Sequence, residues 1–204
     1  MRLSPLLRRF ALLSLVSLAA LGPGCGAEPP APAADLLRRA YPEQAALILD
    51  RAEPFTPTAT GFVLRGDDAP APGVLRATLP RAADASLRLE VGTEGAPFTI
   101  QLRERGASGE VTPAEGALSH ACPGGAAFWS ATEGGVEEWL LLEEGLACAG
   151  EVVARWEVEG GALRQHGEVI EIVDGEGVPR MRVTAPAAWA ASGRPVGATL
   201  RAHG

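Results

Sequence analysis

Past residue 61 the chain alternates apolar and polar positions with a period of two. In residues 86–91, SLRLEV, Leu87, Leu89 and Val91 share one face while Ser86, Arg88 and Glu90 share the other. Phe98, Ile100 and Leu102 repeat the scheme in residues 98–104, FTIQLRE. Successive side chains of a strand point to opposite faces, so this pattern predicts half-buried strands. Further runs follow: FVLR, VLRATL, AAFWSAT, VEEWLLLEE, VVARWEVE, ALRQH, EVIEIVD, PRMRVTA and VGATLRAH. Together they predict roughly eleven short strands, parted by Gly, Pro and Asp. Gly160-Gly161 and DGEG at residues 174–177 read as hairpin turns. No helical period alternates with the strands, which argues against a parallel α/β sheet. The expected fold is mainly β, an antiparallel β-sandwich or open barrel with an N-terminal helix.

Two runs depart from simple alternation. Phe128 and Trp129 are adjacent, and residues 139–142 read WLLL. Strands over 126–132 and 136–143 are therefore expected to be buried on both faces. Something must cover the second face, and residues 35–52, DLLRRAYPEQAALILDRA, are the candidate. There Asp35 suits the cap of a first short turn, and Pro42 followed by Glu43 suits the start of a second helix. Residues 35–204 form the expected β-rich domain.

Upstream the pattern is different. Arg2, Arg8 and Arg9 precede a 12-residue apolar stretch, Phe10 to Leu21. A bilayer span needs about 20 such residues, so this is the profile of a secretory signal over residues 1–24. The sequence LGPGC at 21–25 resembles a bacterial lipobox, with small Gly24 before the cysteine. Leu21 stands one place further back than usual. The resemblance implies that Cys25 becomes the acylated first residue and ties the protein to a membrane. Gly26 in place of Asp favours the outer membrane or cell surface. Ordinary cleavage after small residues, giving a secreted or periplasmic product, is the alternative, and an uncleaved segment is a third. Residues 25–34 then form a tether: Pro29, Pro30 and Pro32 favour an extended polyproline-II spacer.

Removing Cys25 from the three cysteines leaves Cys122 and Cys148. Export permits a disulfide between them, and closing a loop of about 27 residues contributes roughly 3–3.5 kcal/mol in the chain-entropy model. Two buried free thiols are the alternative.

All 18 basic residues are Arg, as expected from a GC-rich coding sequence. The formal charge is −7, and −10 without residues 1–24, from 15 Arg against 25 acids. Such a surface repels nucleic acid and argues against it as a partner. No nucleophile elbow, zinc-protease, phosphate-loop, dinucleotide or EF-hand motif is present. His120, His166 and His203 share no ligand spacing and are expected at solvated strand edges. Ser119 beside His120 is no triad, because strand neighbours point apart. Glu133, Glu137, Glu138, Glu143 and Glu144 read as a solvated acidic face, with calcium the alternative, joined by Asp174 and Glu176. Trp129, Trp139, Trp156 and Trp189 read as core, with a sugar-stacking platform the alternative. Arg180 and Arg182 are expected to pair across strands with glutamates. No catalytic residue, metal ligand or cofactor is expected.

Three segments carry a resemblance: YPEQAALIL (41–49), GGVEEWLLLE (134–143) and ARWEVEGGALRQHGEVIEIVDGEGVPRMRVTAP (154–186). From about residue 36 onward the chain resembles a β-rich N-terminal region of large bacterial surface proteins. Those proteins carry a lipoprotein or secretory signal and continue into kelch-type or Rhs-type repeats. Here the sequence stops at Gly204, where such proteins add another strand and then the repeats; a standalone or truncated paralogue, or a gene fragment, is the expectation. The resemblance implies no catalytic residues. The expected function is a non-enzymatic, surface-tethered domain that binds or presents a protein or glycan. A delivery or carrier module and an envelope hydrolase are the alternatives.

Overall fold

The computed structural model describes residues 3–7, 32–51, 55–66, 69–143 and 151–203, the first of these by backbone alone. In chain order the elements are β1 (Leu3–Leu7), α1 (Ala33–Ala40), α2 (Pro42–Leu49), β2 (Thr56–Pro57), β3 (Gly61–Leu64) and β4 (Leu75–Pro80). Then come β5 (Leu87–Val91), β6 (Phe98–Glu104), β7 (Ser108–Ala114), β8 (Ala117–Cys122), β9 (Gly125–Thr132) and β10 (Gly135–Leu142). The last are β11 (Trp156–Glu159), β12 (Ala162–His166), β13 (Val169–Val173), β14 (Pro179–Val183), β15 (Ala188–Ala190) and β16 (Pro195–Val196). The fold is mainly β, as the alternation predicts. None of the described helices is long and apolar enough to cross a membrane.

Three sheets form. One has seven strands in the order β16-β15-β1-β10-β9-β8-β7, one six in the order β11-β6-β5-β4-β3-β2, and one three in the order β12-β13-β14. Strand pairings are antiparallel except those of β1, which runs parallel to both β10 and β15. Residues 3–7 belong to the expected leader, and here their backbone fills the place between those two strands. The lipobox cysteine Cys25 and nearly all of the tether lie outside the described residues, as do the rest of the leader and Cys148.

Two larger cores flank the seven-stranded sheet, and a smaller cluster of Cys122, Ala127, Leu140 and Leu142 packs with Val153, Ala154 and Trp156. On one face Leu118, Trp129 and Ala131 pack with Phe62, Leu79, Leu89, Ile100 and Leu102 of the six-stranded sheet and with Ile172 and Met181 of the three-stranded one. On the other face Ala117, Phe128, Trp139 and Leu141 pack under the two helices, against Leu37, Tyr41, Ala45, Ile48 and Leu49. Adjacent Phe128 and Trp129 thus face opposite cores, and the helices supply the cover that the sequence requires. Trp139 also stacks on Trp189, with ring centroids 5.9 Å apart.

Tyr41 parts the helices with φ −146°, the extended conformation that a following proline imposes, and Pro42 opens α2. Asp35 lies in the first turn of α1 and is not its cap; that position is Pro32. Arg38 ties α1 to Asp50 and to Glu115 in the β7–β8 turn. In the neighbouring position Gly116 donates its N–H to the Leu49 carbonyl at 2.8 Å. A Cβ on Gly116 would sit 2.4 Å from that oxygen, so the close approach of helix end and hairpin requires glycine.

Several expectations need correction. Among the described residues sixteen strands replace eleven. The extra ones are β1, the short β2 and β15, and β7 and β8, whose glycine, proline, serine and histidine mask the alternation. Of VGATLRAH only Val196 is in a strand. Gly160-Gly161 is not a hairpin turn, because β11 pairs with β6 while β12 pairs with β13. The two glycines instead carry the chain from one sheet to another, Gly160 at φ 92°. The DGEG turn is a hairpin, held by Asp174 Oδ1 accepting the N–H groups of Glu176 and Val178. Glu90 is buried rather than solvated, because Arg76 and Arg88 both pair with it.

Candidate functional site

Glu104 ends β6 on the same inward phase as Ile100 and Leu102. His120 shares the inward phase of Leu118 and Cys122 on β8, and Glu138 that of Leu140 and Leu142 on β10. Strands β8 and β10 flank β9, so their backbones are about 9.5 Å apart. In register, Ala127 of β9 stands between His120 and Leu140, while Trp129 stands between Leu118 and Glu138. The small side chain of Ala127 leaves room for His120 and Glu138 to lean toward each other, and Glu104 reaches in from the facing sheet.

The result is a buried cluster in which donor atoms of Glu104, His120 and Glu138 all lie within 4.8 Å of one another. His120 Nε2 meets Glu104 Oε2 at 2.8 Å, with both side chains about 5% exposed or less. Glu138 has no exposed surface, and among the described residues neither of its carboxylate oxygens has a partner at hydrogen-bond geometry, although Glu104 and the Trp156 indole stand close enough to act on it. His120 Nδ1 is likewise buried without one. Burial pushes the Glu138 carboxyl well above the usual range, and nearby Glu104 adds to the effect; the Trp156 indole works weakly the other way. Cys122, next to the cluster, is buried with a free thiol among the described residues, which do not include its expected partner Cys148. The Cys122 pKa is pushed up to about 12 by burial and by the charges of Glu104 and Glu138, which makes it unreactive.

His120 and Glu138 therefore do not occupy the solvated positions expected of them. His166 and His203 do stay exposed and do not join the cluster. Glu137, the neighbour of Glu138, points the other way and meets Arg51 at 3.5 Å. Arg182 faces Glu171 across the β13–β14 pair, as expected, whereas Arg180 bonds Asp174 at 2.7 Å. Trp129 and Trp139 are core residues, and Trp156 and Trp189 pack half-buried against the cores.

A second feature opens beside the cluster. A groove of about 2160 Å³ runs between the sheets, with Leu89, Ile100, Leu102, Ile172, Met181 and Val183 among its lining. The β11 and β14 strands both border it, and each has one edge unpaired among the described strands. Arg155, Arg194 and Arg201 stand exposed along it without an ion-pair partner among the described residues. The arginines Arg105, Arg180 and Arg182 also border it, but each already pairs with an acid.

No protein-family model matches the chain, and neither the curated proteins nor the solved structures contain a significant match.

Proposed function

We propose that this chain is an envelope lipoprotein whose β-domain binds a partner protein in the groove and performs no turnover. The groove carries the reading. At about 2160 Å³ it exceeds the roughly 300–1,000 Å³ typical of small-molecule sites, which favours a chain-like ligand. Two unpaired strand edges on its walls offer main-chain hydrogen bonds to an extended segment, the mode of strand addition. Apolar side chains line the groove, and the three unpaired arginines favour acidic side chains at the rim. The favoured partner segment is thus extended, alternately apolar and acidic. Six arginines against four glutamates (Glu133, Glu137, Glu151 and Glu157) line the groove, a positive balance on a chain that is acidic as a whole, which favours that segment there.

A fluorescein-labelled peptide of alternating Val and Glu serves as the probe. Saturable binding is expected by fluorescence anisotropy, weakened at least tenfold in the Arg155→Glu/Arg194→Glu/Arg201→Glu variant. Equal binding by both proteins, or none at millimolar peptide, would remove the groove as a protein site.

The anchor rests on the lipobox resemblance at Cys25, and its acyl chains would hold the protein stably at the membrane surface. Radiolabelled palmitate should enter the wild-type chain and not Cys25→Ala. Label on both proteins, or on neither, would refute lipidation at this residue.

A further inference from the structure

We infer that Glu104, His120 and Glu138 form a binding site for a divalent transition-metal cation of the zinc class. The inference does not depend on the groove or on the anchor. It starts from the free valences of the cluster. Buried polar side chains are almost always hydrogen-bonded, because leaving one without a partner costs about 1–3 kcal/mol. Both oxygens of Glu138 are such groups, and donor atoms of Glu104, His120 and Glu138 all lie within 4.8 Å of one another. A cation held through His120 Nε2 and the two carboxylates satisfies the buried Glu138 carboxylate.

The donor set selects the class. An imidazole with two carboxylates suits zinc and its first-row neighbours, whereas calcium and magnesium take oxygen ligands. Zinc holds nitrogen and oxygen at about 2.0–2.2 Å, which places tetrahedral donors about 3.4 Å apart. The three donors already lie within 4.8 Å, and the His120–Glu104 contact of 2.8 Å must open slightly. The required movements are of the order of an ångström and involve side chains alone. Three protein ligands leave a fourth position for water or for a group on a ligand.

The three ligands come from β6, β8 and β10, so the cation also clamps the six-stranded sheet to the seven-stranded one. The groups facing the cation are Glu104, His120 and Glu138, with Cys122 and Trp156 beside them.

The test uses the full-length protein, stripped with chelator and dialysed against buffered zinc(II). The expected result is one zinc per chain and a raised unfolding temperature. Glu138→Gln and His120→Gln should each weaken zinc binding at least tenfold and abolish the thermal shift. The Cys122→Ala and Cys148→Ala variants should keep both, which separates this cluster from thiol binding. Cobalt(II) should give ligand-field bands in the wild type and lose them in Glu138→Gln. Substoichiometric zinc in the wild type, or unchanged binding in both cluster variants, overturns the site. So does loss of binding on removing the cysteines. Near-UV circular dichroism shows that each variant is folded, and Glu104→Gln replaces any variant that is not.

Discussion

Replacing Phe128 by alanine is expected to lower the unfolding free energy by about 3–5 kcal/mol, the range for deleting a buried aromatic side chain. Phe128 is the largest fully buried side chain among the described residues, with no exposed surface. It sits on the central β9 strand, under α1 and α2, among Leu37, Ile48, Trp139 and Leu141. The two helices are eight residues each, too short to be stable alone in water. They depend on this contact. Folded domains are stable by only about 5–15 kcal/mol, so the variant should show a large fall in urea midpoint. It should also show selective loss of helical signal early in the transition. A loss below about 1 kcal/mol would mean that the helices do not rest on this face. Trp129→Ala, on the same strand, should weaken the packing between the sheets instead and leave the helical contacts in place.

The second large effect concerns Glu138 in metal-free protein. Burial raises its folded-state pKa, so the native chain binds its proton more tightly than the unfolded chain does. Where the folded state binds more protons, stability falls as pH rises. The decline begins near the unfolded carboxyl value of about 4.3 and runs up through the folded one. Above that window the protein carries the burden of an ionised, unpartnered carboxylate. With chelator present, Glu138→Gln should therefore stabilise the protein at pH 8 by on the order of a few kcal/mol, and by much less at pH 4. Urea midpoints across this range for both proteins would show it. The same variant loses the added stability that zinc confers, so the two treatments give opposite signs. Equal midpoints at every pH would mean that Glu138 titrates normally and is not sequestered.

The strand content and the double burial of 126–132 and 136–143 could be read from side-chain period alone, because adjacent aromatics on a strand leave no other arrangement. The separate start of α2 followed from Pro42. The β7 and β8 strands could not be read in the same way. Gly109, Pro113, Ser119 and His120 obscure their alternation, and β7 sits at the sheet edge where one side needs no apolar cover. The buried cluster carried a partial signal. Glu104 follows Phe98, Ile100 and Leu102 in phase, His120 lies in phase with Leu118 and Cys122, and Glu138 with Leu140 and Leu142. Three polar residues on three inward phases mark buried polar positions. What the sequence lacks is the order of strands across two sheets, and only that order brings β6 opposite β8 and β10. The Gly160-Gly161 turn failed for the same reason: local chemistry specifies a reversal but not which strand the chain joins next.

The opposed placement of Phe128 and Trp129 has one more consequence. A half-solvated strand that slides by one position trades a good inner face for a poor one. Here both faces are already committed, to rings of different size under different lids. Sliding β9 against β10 by one place would thrust the indole beneath the helices and the phenyl between the sheets. Sliding β10 as well would turn the Glu138 carboxyl toward a wall of aliphatic carbon. No intermediate alignment satisfies half of these demands, so the hairpin acts as a key cut on two edges, and a single adjacent pair of aromatics sets the alignment of everything stacked above and below it.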